Sequence, residues 1–154
     1  MRITLCSSAA FFDSLHSIKK ELEERGHEIL LPSMVDYHHL EEDALAKIQY
    51  NLIRDHFKKI DGSHAIYVAN YDKNDIVGYI GGSVLLEMGK AFDKGIPIFL
   101  MQGIPVEVSY REELIALQPI VVGENWGELD QILCNHYTQK RKPRLLSRGS
   151  FLVS

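Results

Sequence analysis

The chain has 154 residues, 45% of them hydrophobic and 25% charged, and this size and composition are typical of one ordinary domain with a single core. No apolar run reaches the roughly 20 residues of a membrane-spanning helix, and residues 1–10 lack the basic start and apolar centre of a signal peptide. We therefore expect a cytoplasmic protein that is neither exported nor inserted into a membrane.

The net charge of −4 hides an uneven distribution, because residues 140–154 contain no acid and hold five basic residues: Lys140, Arg141, Lys142, Arg144 and Arg148. We divide the chain into a single domain at residues 1–139 and a basic tail at residues 140–154. A basic tail can contact phosphates, but the rest of the chain is acidic and has no groove-reading motif, so we do not expect nucleic-acid binding. A solvated tail and a tail packed on a partner subunit remain the two interpretations.

The possible metal ligands form no recognisable set. Cys6 and Cys134 lie far apart with no CxxC spacing, which favours free buried thiols. His38 and His39 are neighbours whose side chains point apart on any regular element, and no third ligand accompanies them. We predict no metal and no cofactor.

The first half of the chain predicts two strand-helix units. Residues 2–6 suit a strand, and Ser7 and Ser8 follow where a strand-to-helix turn should fall. An amphipathic helix is expected over residues 11–25, ended by Gly26, and a second strand over residues 27–31. A long helix is expected from about residue 41 to residue 60, with a buried stripe of Leu45, Ile48, Leu52, Ile53, Phe57 and Ile60.

The second half continues the same alternation. Strands are expected at residues 64–69, 96–101 and 120–122, and helices from Ser83, near residues 110–117 and over residues 126–137. The pattern predicts an α/β fold of the flavodoxin-like type, a three-layer sandwich with a five-stranded parallel sheet of order 2-1-3-4-5. Ser7, Ser8 and Asn70 should then meet at the switch point, beside the Gly81-Gly82 turn.

The helix that opens at Ser83 places Ser83 and Glu87 on one face, while Val84, Met88, Ala91 and Phe92 share the core face. Gly81 and Gly82 permit positive φ and close backbone approach, and the free amides at the helix start favour an anion such as a phosphate. Ser83 is placed to cap the helix, to bind a phosphate, or both. The helix field should favour ionised Glu87 by roughly 0.3 to 1 kcal/mol. The alternative is a surface Glu87 paired with Lys90 or Lys94.

Residues 79–83, 87–92 and 94–98 together resemble the signature helix of the nucleoside 2-deoxyribosyltransferase superfamily, which includes the 2'-deoxynucleoside 5'-phosphate N-hydrolases. The strand-helix order around them fits that superfamily from residue 2 to about residue 125. The resemblance implies a flavodoxin-like homo-oligomer in which Glu87 attacks the anomeric carbon. The covalent deoxyribosyl-enzyme is then captured by another base or by water.

The resemblance also implies roles for other residues. Ser8, with Ser7 as second choice, matches a serine that helps to bind sugar or phosphate. The position of the family's acid/base aspartate falls on His56, with Asp55 one residue earlier, and since neighbours on a helix are about 100° apart, only one can face the cleft.

Two aromatic residues and Asn70 complete the predicted site. Asn70 could hydrogen-bond a ribose hydroxyl or a base edge, and Tyr71 or Tyr79 could stack on the base. The alternatives are a turn-forming asparagine and aromatic rings that pack in the core.

We therefore expect an enzyme that cleaves or exchanges the N-glycosidic bond of a (2'-deoxy)nucleoside or its 5'-monophosphate, through a covalent glycosyl intermediate on Glu87. The rival is a non-catalytic nucleotide-binding or sensing module on the same fold. A phosphoribohydrolase of the lysine-decarboxylase-like group is disfavoured, because its Pro-Gly-Gly-x-Gly-Thr pattern is absent.

Overall fold

The computed structural model describes residues 1–35 and 43–141. The His38-His39 pair, the predicted start of the long helix at residue 41 and most of the basic tail lie outside the described residues.

Five parallel strands form one sheet in the order β2-β1-β3-β4-β5, which confirms the predicted flavodoxin-like topology. The strands are β1 (Arg2–Cys6), β2 (Glu28–Leu30), β3 (Ala65–Val68), β4 (Ile98–Leu100) and β5 (Ile120–Val121). β1 lies between β2 and β3, so that Ile3 is in register with Ile29 on one side and with Ala65 on the other. Every residue of β3 is buried, as expected for a parallel strand covered on both faces.

Helices cover both faces of this sheet. They are α1 (Leu15–Glu24), α2 (Asp43–Gln49), α3 (Leu52–Asp61), α4 (Gly82–Asp93), α5 (Arg111–Ala116) and α6 (Trp126–Arg141), and a 3-10 helix (Ala9–Ser14) precedes α1. Apolar side chains of α1 and α6 pack in one core cluster. Those of α3, α4 and α5 pack in a second cluster on the opposite face of the sheet.

The predicted long helix is wrong as a single element, because α2 and α3 are separate helices. Asn51 adopts a left-handed conformation with φ of 53°, which asparagine tolerates better than most residues. The predicted buried stripe is also largely wrong: Leu45, Ile48 and Ile53 are exposed, and Ile60 is buried. The apolar residues keep the same helical spacing in α2 and in α3, so the sequence pattern does not reveal the break between the two helices.

Two further burial predictions are wrong. Phe92, expected on the core face of α4, is half exposed, whereas Val84, Met88 and Ala91 are buried as predicted. Cys134 is exposed on α6, whereas Cys6 is buried at the end of β1. Across residues 1–35 and 43–141, no helix combines the length and the apolar character that crossing a membrane demands.

Candidate active site

An open cavity of about 570 Å³ lies at the carboxyl ends of β1 and β3, on the side of the sheet where α3 and α4 begin. This is the switch point of the strand order, where open α/β sheets usually bind ligands. The predicted residues Ser7, Ser8, Gly81, Gly82 and Ser83 all line it. The sequence therefore located the cavity correctly.

Glu87 lies at the base of this cavity, one turn into α4. Its side chain is only 16% exposed, and its Oε2 atom has no hydrogen-bond partner among the described residues. Lys90 and Lys94 both pair with Asp61 at 3.2 and 3.5 Å. The alternative in which Glu87 is a surface residue paired with either lysine is therefore wrong.

Burial controls the protonation of Glu87. Burial raises the pKa of Glu87 to about 7, although contact with the Cys6 thiol and the charge of Lys47 both lower it. We expected the field of the helix to favour the ionised form by at most about 1 kcal/mol, which is less than one pKa unit. Desolvation outweighs this contribution, so both protonation states of Glu87 are accessible near neutral pH.

His56 faces Glu87 from α3 and is buried. Its Nε2 atom lies 3.6 Å from Glu87 Oε2 and 3.5 Å from Cys6 Sγ, and its Nδ1 atom has no partner among the described residues. Burial and the nearby charge of Lys59 lower the pKa of His56 to about 4. The imidazole is therefore neutral at pH 7, and the contact with Glu87 is not an ion pair.

Asp55 points away from Glu87. Its Oδ2 atom accepts a hydrogen bond of 2.6 Å from Ser33 and pairs with Lys59 at 3.2 Å. Asp55 is absent from the cavity wall, whereas His56 lines it. Of the two residues left open by the sequence, the 100° rotation between helix neighbours brings His56 to Glu87 and makes the Asp55 prediction wrong.

Sequence reasoning treated Cys6 as a core thiol and missed its place beside the site. The residue is fully buried at the last position of β1, against His56. Burial raises the pKa of Cys6 well above its ordinary value, and the neighbouring Glu87 carboxylate raises it further. The sequence feature that could have placed Cys6 beside the site is its position, because it directly precedes Ser7 and Ser8 at the switch point.

Two lysines that the sequence analysis did not single out contact the predicted serines. Lys73 Nζ donates to Ser8 Oγ at 2.9 Å, and Lys47 Nζ donates to Ser83 Oγ at 3.0 Å. Both lysines line the cavity, which therefore carries a cation on each of two walls. Neither lysine belongs to a motif, and only the folding of α2 and of the loop after β3 brings them here.

The two switch-point serines differ in their contacts. Ser7 Oγ donates to the backbone oxygen of Ala69 at 2.8 Å and so ties the ends of β1 and β3 together. Within the described part of the chain, Ser8 Oγ contacts Lys73 alone, and it is the more available of the two for a ligand. Ser83 does not cap α4 as predicted, because Gly81 is the cap residue and no side-chain cap bond is present there.

Of the two glycines, Gly81 is needed for close packing, whereas a β-carbon at Gly82 would meet nothing within 4 Å. Gly81 has φ of −87° and ψ of 177°, which any residue adopts, so the positive φ that glycine permits is not used there. A β-carbon at Gly81 would lie 2.9 Å from the Tyr79 hydroxyl oxygen and 3.1 Å from its ring. Glycine at position 81 therefore lets the Tyr79 ring approach the start of α4 closely.

Of the two candidate stacking residues, only Tyr79 lines the cavity. The Lys73 ammonium lies 5.3 Å from the centre of the Tyr79 ring. Tyr71 instead packs on Phe11, with ring centres 5.0 Å apart, and belongs to the core cluster of α1 and α6. The core-packing alternative is thus correct for Tyr71.

Asn70 is not a ligand of the cavity, and that prediction is wrong. Its amide nitrogen donates to the backbone oxygens of Gly78, Gln102 and Gly103, and its Oδ1 accepts from the Gln102 amide at 2.8 Å. The side chain is buried and fully hydrogen-bonded, so it holds the loops after β3 and β4 together. The turn-forming alternative is the nearer description.

The arrangement combines three chemical features. A carboxyl group that titrates near neutral pH and a neutral imidazole share one wall, and two ammonium groups lie toward the mouth. Cys6, His56 and Glu87 also each offer one possible metal-ligand atom, and these atoms all lie within 4.8 Å of one another. The cavity is therefore suited to an anionic ligand whose uncharged part reaches a nucleophile or base.

Comparison with known proteins supports the fold. No protein-family model matches the chain, and no curated protein matches it. The chain is similar to a solved structure described as a conserved protein from Enterococcus faecalis V583, with 16% sequence identity and a TM-score of 0.50. The match covers 90% of this chain and 98% of the other. The fold and site thus define a flavodoxin-like α/β protein with a buried glutamate at its switch point.

Proposed function

We propose that this protein cleaves or exchanges the N-glycosidic bond of a nucleoside or nucleotide, with Glu87 as the nucleophile. The observation that carries the proposal is the place of Glu87, a largely buried carboxyl group that lines the cavity at the switch point beside a neutral His56. A carboxylate at the wall of a ligand cavity can act as a nucleophile toward an electrophilic carbon.

In the first step, a Glu87 oxygen bonds to the anomeric carbon while the bond from that carbon to the base nitrogen breaks. The electron pair leaves with the base, which takes up a proton from water in the open cavity, and a glycosyl ester of Glu87 remains. The pKa of about 7 leaves roughly half of Glu87 ionised at neutral pH, which is enough for this role.

In the second step, water or another base attacks the same carbon and frees Glu87. His56 Nε2, 3.6 Å from Glu87 Oε2, is positioned to take the proton from an attacking water, because the imidazole is neutral at pH 7.

Substrate binding is assigned to the rest of the cavity wall. Lys47 and Lys73, with the amides at the start of α4, suit a phosphate, and the Tyr79 ring offers a stacking surface for a base. These features favour a nucleoside 5'-monophosphate as ligand. They equally suit the rival proposal, a nucleotide-binding module without catalysis.

One assay separates the two proposals. The protein is incubated with deoxynucleosides and their 5'-monophosphates, and free base is measured by chromatography. We expect base release that is lost in Glu87→Gln and retained in Asp93→Asn, which makes the same charge change at an exposed position of the same helix. Nucleotide binding without turnover of any substrate would instead support the binding module.

The covalent step has its own test. Acid quenching during turnover followed by mass spectrometry should reveal a deoxyribosyl adduct on the peptide that contains Glu87. Addition of a second free base then distinguishes exchange, which yields a new nucleoside, from hydrolysis. A cytoplasmic location and a homo-oligomeric assembly remain part of this proposal.

A further inference from the structure

Cys6, His56 and Glu87 form a buried cluster that the proposed glycosyl chemistry does not fully use. Cys6 has no exposed surface, His56 is 4% exposed, and the Glu87 side chain is 16% exposed. The three residues come from β1, α3 and α4, so the tertiary fold alone assembles them. Their facing atoms are Sγ, Nε2 and a carboxylate oxygen, which are three of the ligand types that zinc prefers.

Two of the three separations between these atoms match one tetrahedral zinc ion, and the third pair, Cys6 Sγ and the Glu87 oxygen, lies within 4.8 Å. Zinc bonds of about 2.3 Å to sulfur and about 2.0 to 2.1 Å to nitrogen and oxygen place the sulfur about 3.6 Å from the nitrogen, and the nitrogen about 3.4 Å from the oxygen. The corresponding distances here are 3.5 Å from Cys6 Sγ to His56 Nε2 and 3.6 Å from that nitrogen to Glu87 Oε2. Both agree with the expected ligand-to-ligand separations to within about 0.2 Å.

We propose that Cys6, His56 and Glu87 form a zinc-binding site whose fourth position opens into the cavity. The Cys6 thiol gives its proton to solvent, and the resulting thiolate and the Glu87 carboxylate balance the two positive charges of the ion. His56 coordinates through Nε2 and carries its proton on Nδ1. Three protein ligands with one open position form a site that can also accept water or a ligand.

The unpartnered oxygen of the cluster supports this assignment independently of the distances. Glu87 Oε2 lacks a hydrogen-bond partner within the described part of the chain. A buried oxygen without a partner raises the free energy of the fold, and coordination of a cation would remove that cost. The thiolate and imidazole ligands select zinc over magnesium or calcium, which prefer oxygen.

The proposal is tested by cobalt substitution. Protein freed of metal by a chelator is titrated with Co²⁺, whose complexes with thiolate absorb in the near ultraviolet, and Zn²⁺ is then added as competitor. We expect one Co²⁺ per chain, a sulfur-to-cobalt absorption band, and its loss on addition of Zn²⁺. Absence of the band in the unaltered protein would overturn the proposal.

Two variants test whether the sulfur-to-cobalt absorption band arises from Cys6. Cys6→Ser should abolish it and weaken Zn²⁺ binding by more than the roughly 10- to 100-fold that loss of a supporting outer residue costs. Cys134→Ser, which removes the exposed cysteine, should leave both unchanged. If circular dichroism shows that Cys6→Ser is unfolded, His56→Gln provides the same affinity test with the thiol in place. A band that persists in Cys6→Ser would contradict the site.

One consequence rests on the proposed function: zinc-bound Glu87 cannot attack a sugar. Base release by the metal-free protein should fall when one equivalent of Zn²⁺ is added and recover with chelator. If the metal-free protein releases no base, the proposed function fails, while the cobalt spectrum still decides the zinc site. If base release occurs and no cobalt band forms, the zinc site alone is wrong.

Discussion

At the scale of single residues, the acidic group and the basic groups of the cavity lie in different parts of it. Glu87 is desolvated at the base, where burial raises its pKa, whereas Lys47 and Lys73 lie nearer to solvent and bond to serine hydroxyls. A serine oxygen is a weak partner for an ammonium group compared with a phosphate oxygen. Each lysine can therefore exchange its serine contact for a phosphate at a gain in free energy.

Replacement of these lysines should separate phosphate recognition from nucleoside recognition. In Lys47→Met and in Lys73→Met, we expect the affinity for a nucleoside 5'-monophosphate to fall roughly tenfold or more, because one charge-assisted hydrogen bond is lost. The affinity for the parent nucleoside should change little. Isothermal titration calorimetry with both ligands measures the difference.

The control is Lys58→Met, which removes a charge from an exposed position on α3. It should leave both affinities unchanged. Equal weakening of nucleoside and nucleotide binding by the two cavity variants would contradict a phosphate role for the lysines.

At the scale of elements, the loop before α4 depends on Gly78. This residue has φ of +65°, and a β-carbon there would lie 2.8 Å from the backbone oxygen of Gly103 and 3.0 Å from the Asn70 amide nitrogen. The same amide holds the loops after β3 and β4 together. A side chain at position 78 therefore disturbs the support of the cavity wall.

We expect Gly78→Ala to lower the free energy of unfolding by about 1 to 3 kcal/mol, because of the left-handed backbone and the close contact with backbone. Gly89→Ala is the matched change: Gly89 lies inside α4, and a β-carbon there meets nothing within 4 Å. It should raise the stability by about 0.5 to 1 kcal/mol. Urea unfolding of both variants measures this, and destabilisation by both would contradict the account.

A second link joins α6 to the end of α1. Asp130 accepts hydrogen bonds of 2.8 Å from Arg25 Nε and 2.7 Å from His27 Nε2. Burial alone would raise the pKa of Asp130, but the bonds from His27 and Arg25 outweigh it and lower the pKa below its ordinary value. Asp130 therefore binds its proton less tightly in the folded chain than in the unfolded chain.

This difference between the folded and the unfolded chain determines whether the free energy of unfolding rises or falls with pH. The stability contributed by Asp130 is fully present above its unfolded pKa of about 4 and is lost as the pH falls through the lower folded value. We expect Asp130→Asn to destabilise the protein by roughly 1 kcal/mol at pH 6 and by much less at pH 2 to 3. Urea unfolding at several pH values measures it, with Glu24→Gln, an exposed residue of α1, as control. A difference independent of pH would argue against the linkage.

At the scale of the whole molecule, the two core clusters share one sheet. Alternate residues of β3 point to opposite faces, with Tyr67 in the cluster of α1 and α6 and Ile66 and Val68 in the other. Neither cluster can lose its packing without exposing the strands that support the other. The two faces should therefore unfold together.

We expect one cooperative unfolding transition. Trp126, the single tryptophan, packs in the cluster of α1 and α6, so its fluorescence reports one face, while far-ultraviolet circular dichroism reports the whole chain. The two urea transitions should have the same midpoint. A fluorescence transition that precedes the loss of circular dichroism would show that the face with α1 and α6 unfolds separately.

Most elements and the sheet order were predictable, because local apolar periodicity and the handedness of crossovers determine them. The break at Asn51 was not, since the apolar spacing of α2 continues into α3. The preference for His56 over Asp55 was not predictable either. It depends on the rotation of α3 about its own axis, which packing against α4 determines.

By itself, the sequence determined the parallel sheet, the switch point and the place of Glu87 on a helix that begins there, because all three follow from the order of short-range patterns. Only the tertiary structure decided which side chains surround Glu87. Cys6, His56, Lys47 and Lys73 are distant in sequence, and their convergence depends on how the strands and helices pack. The depth of burial that raises the pKa of Glu87 also has no local signal, because desolvation is a property of everything packed around a group.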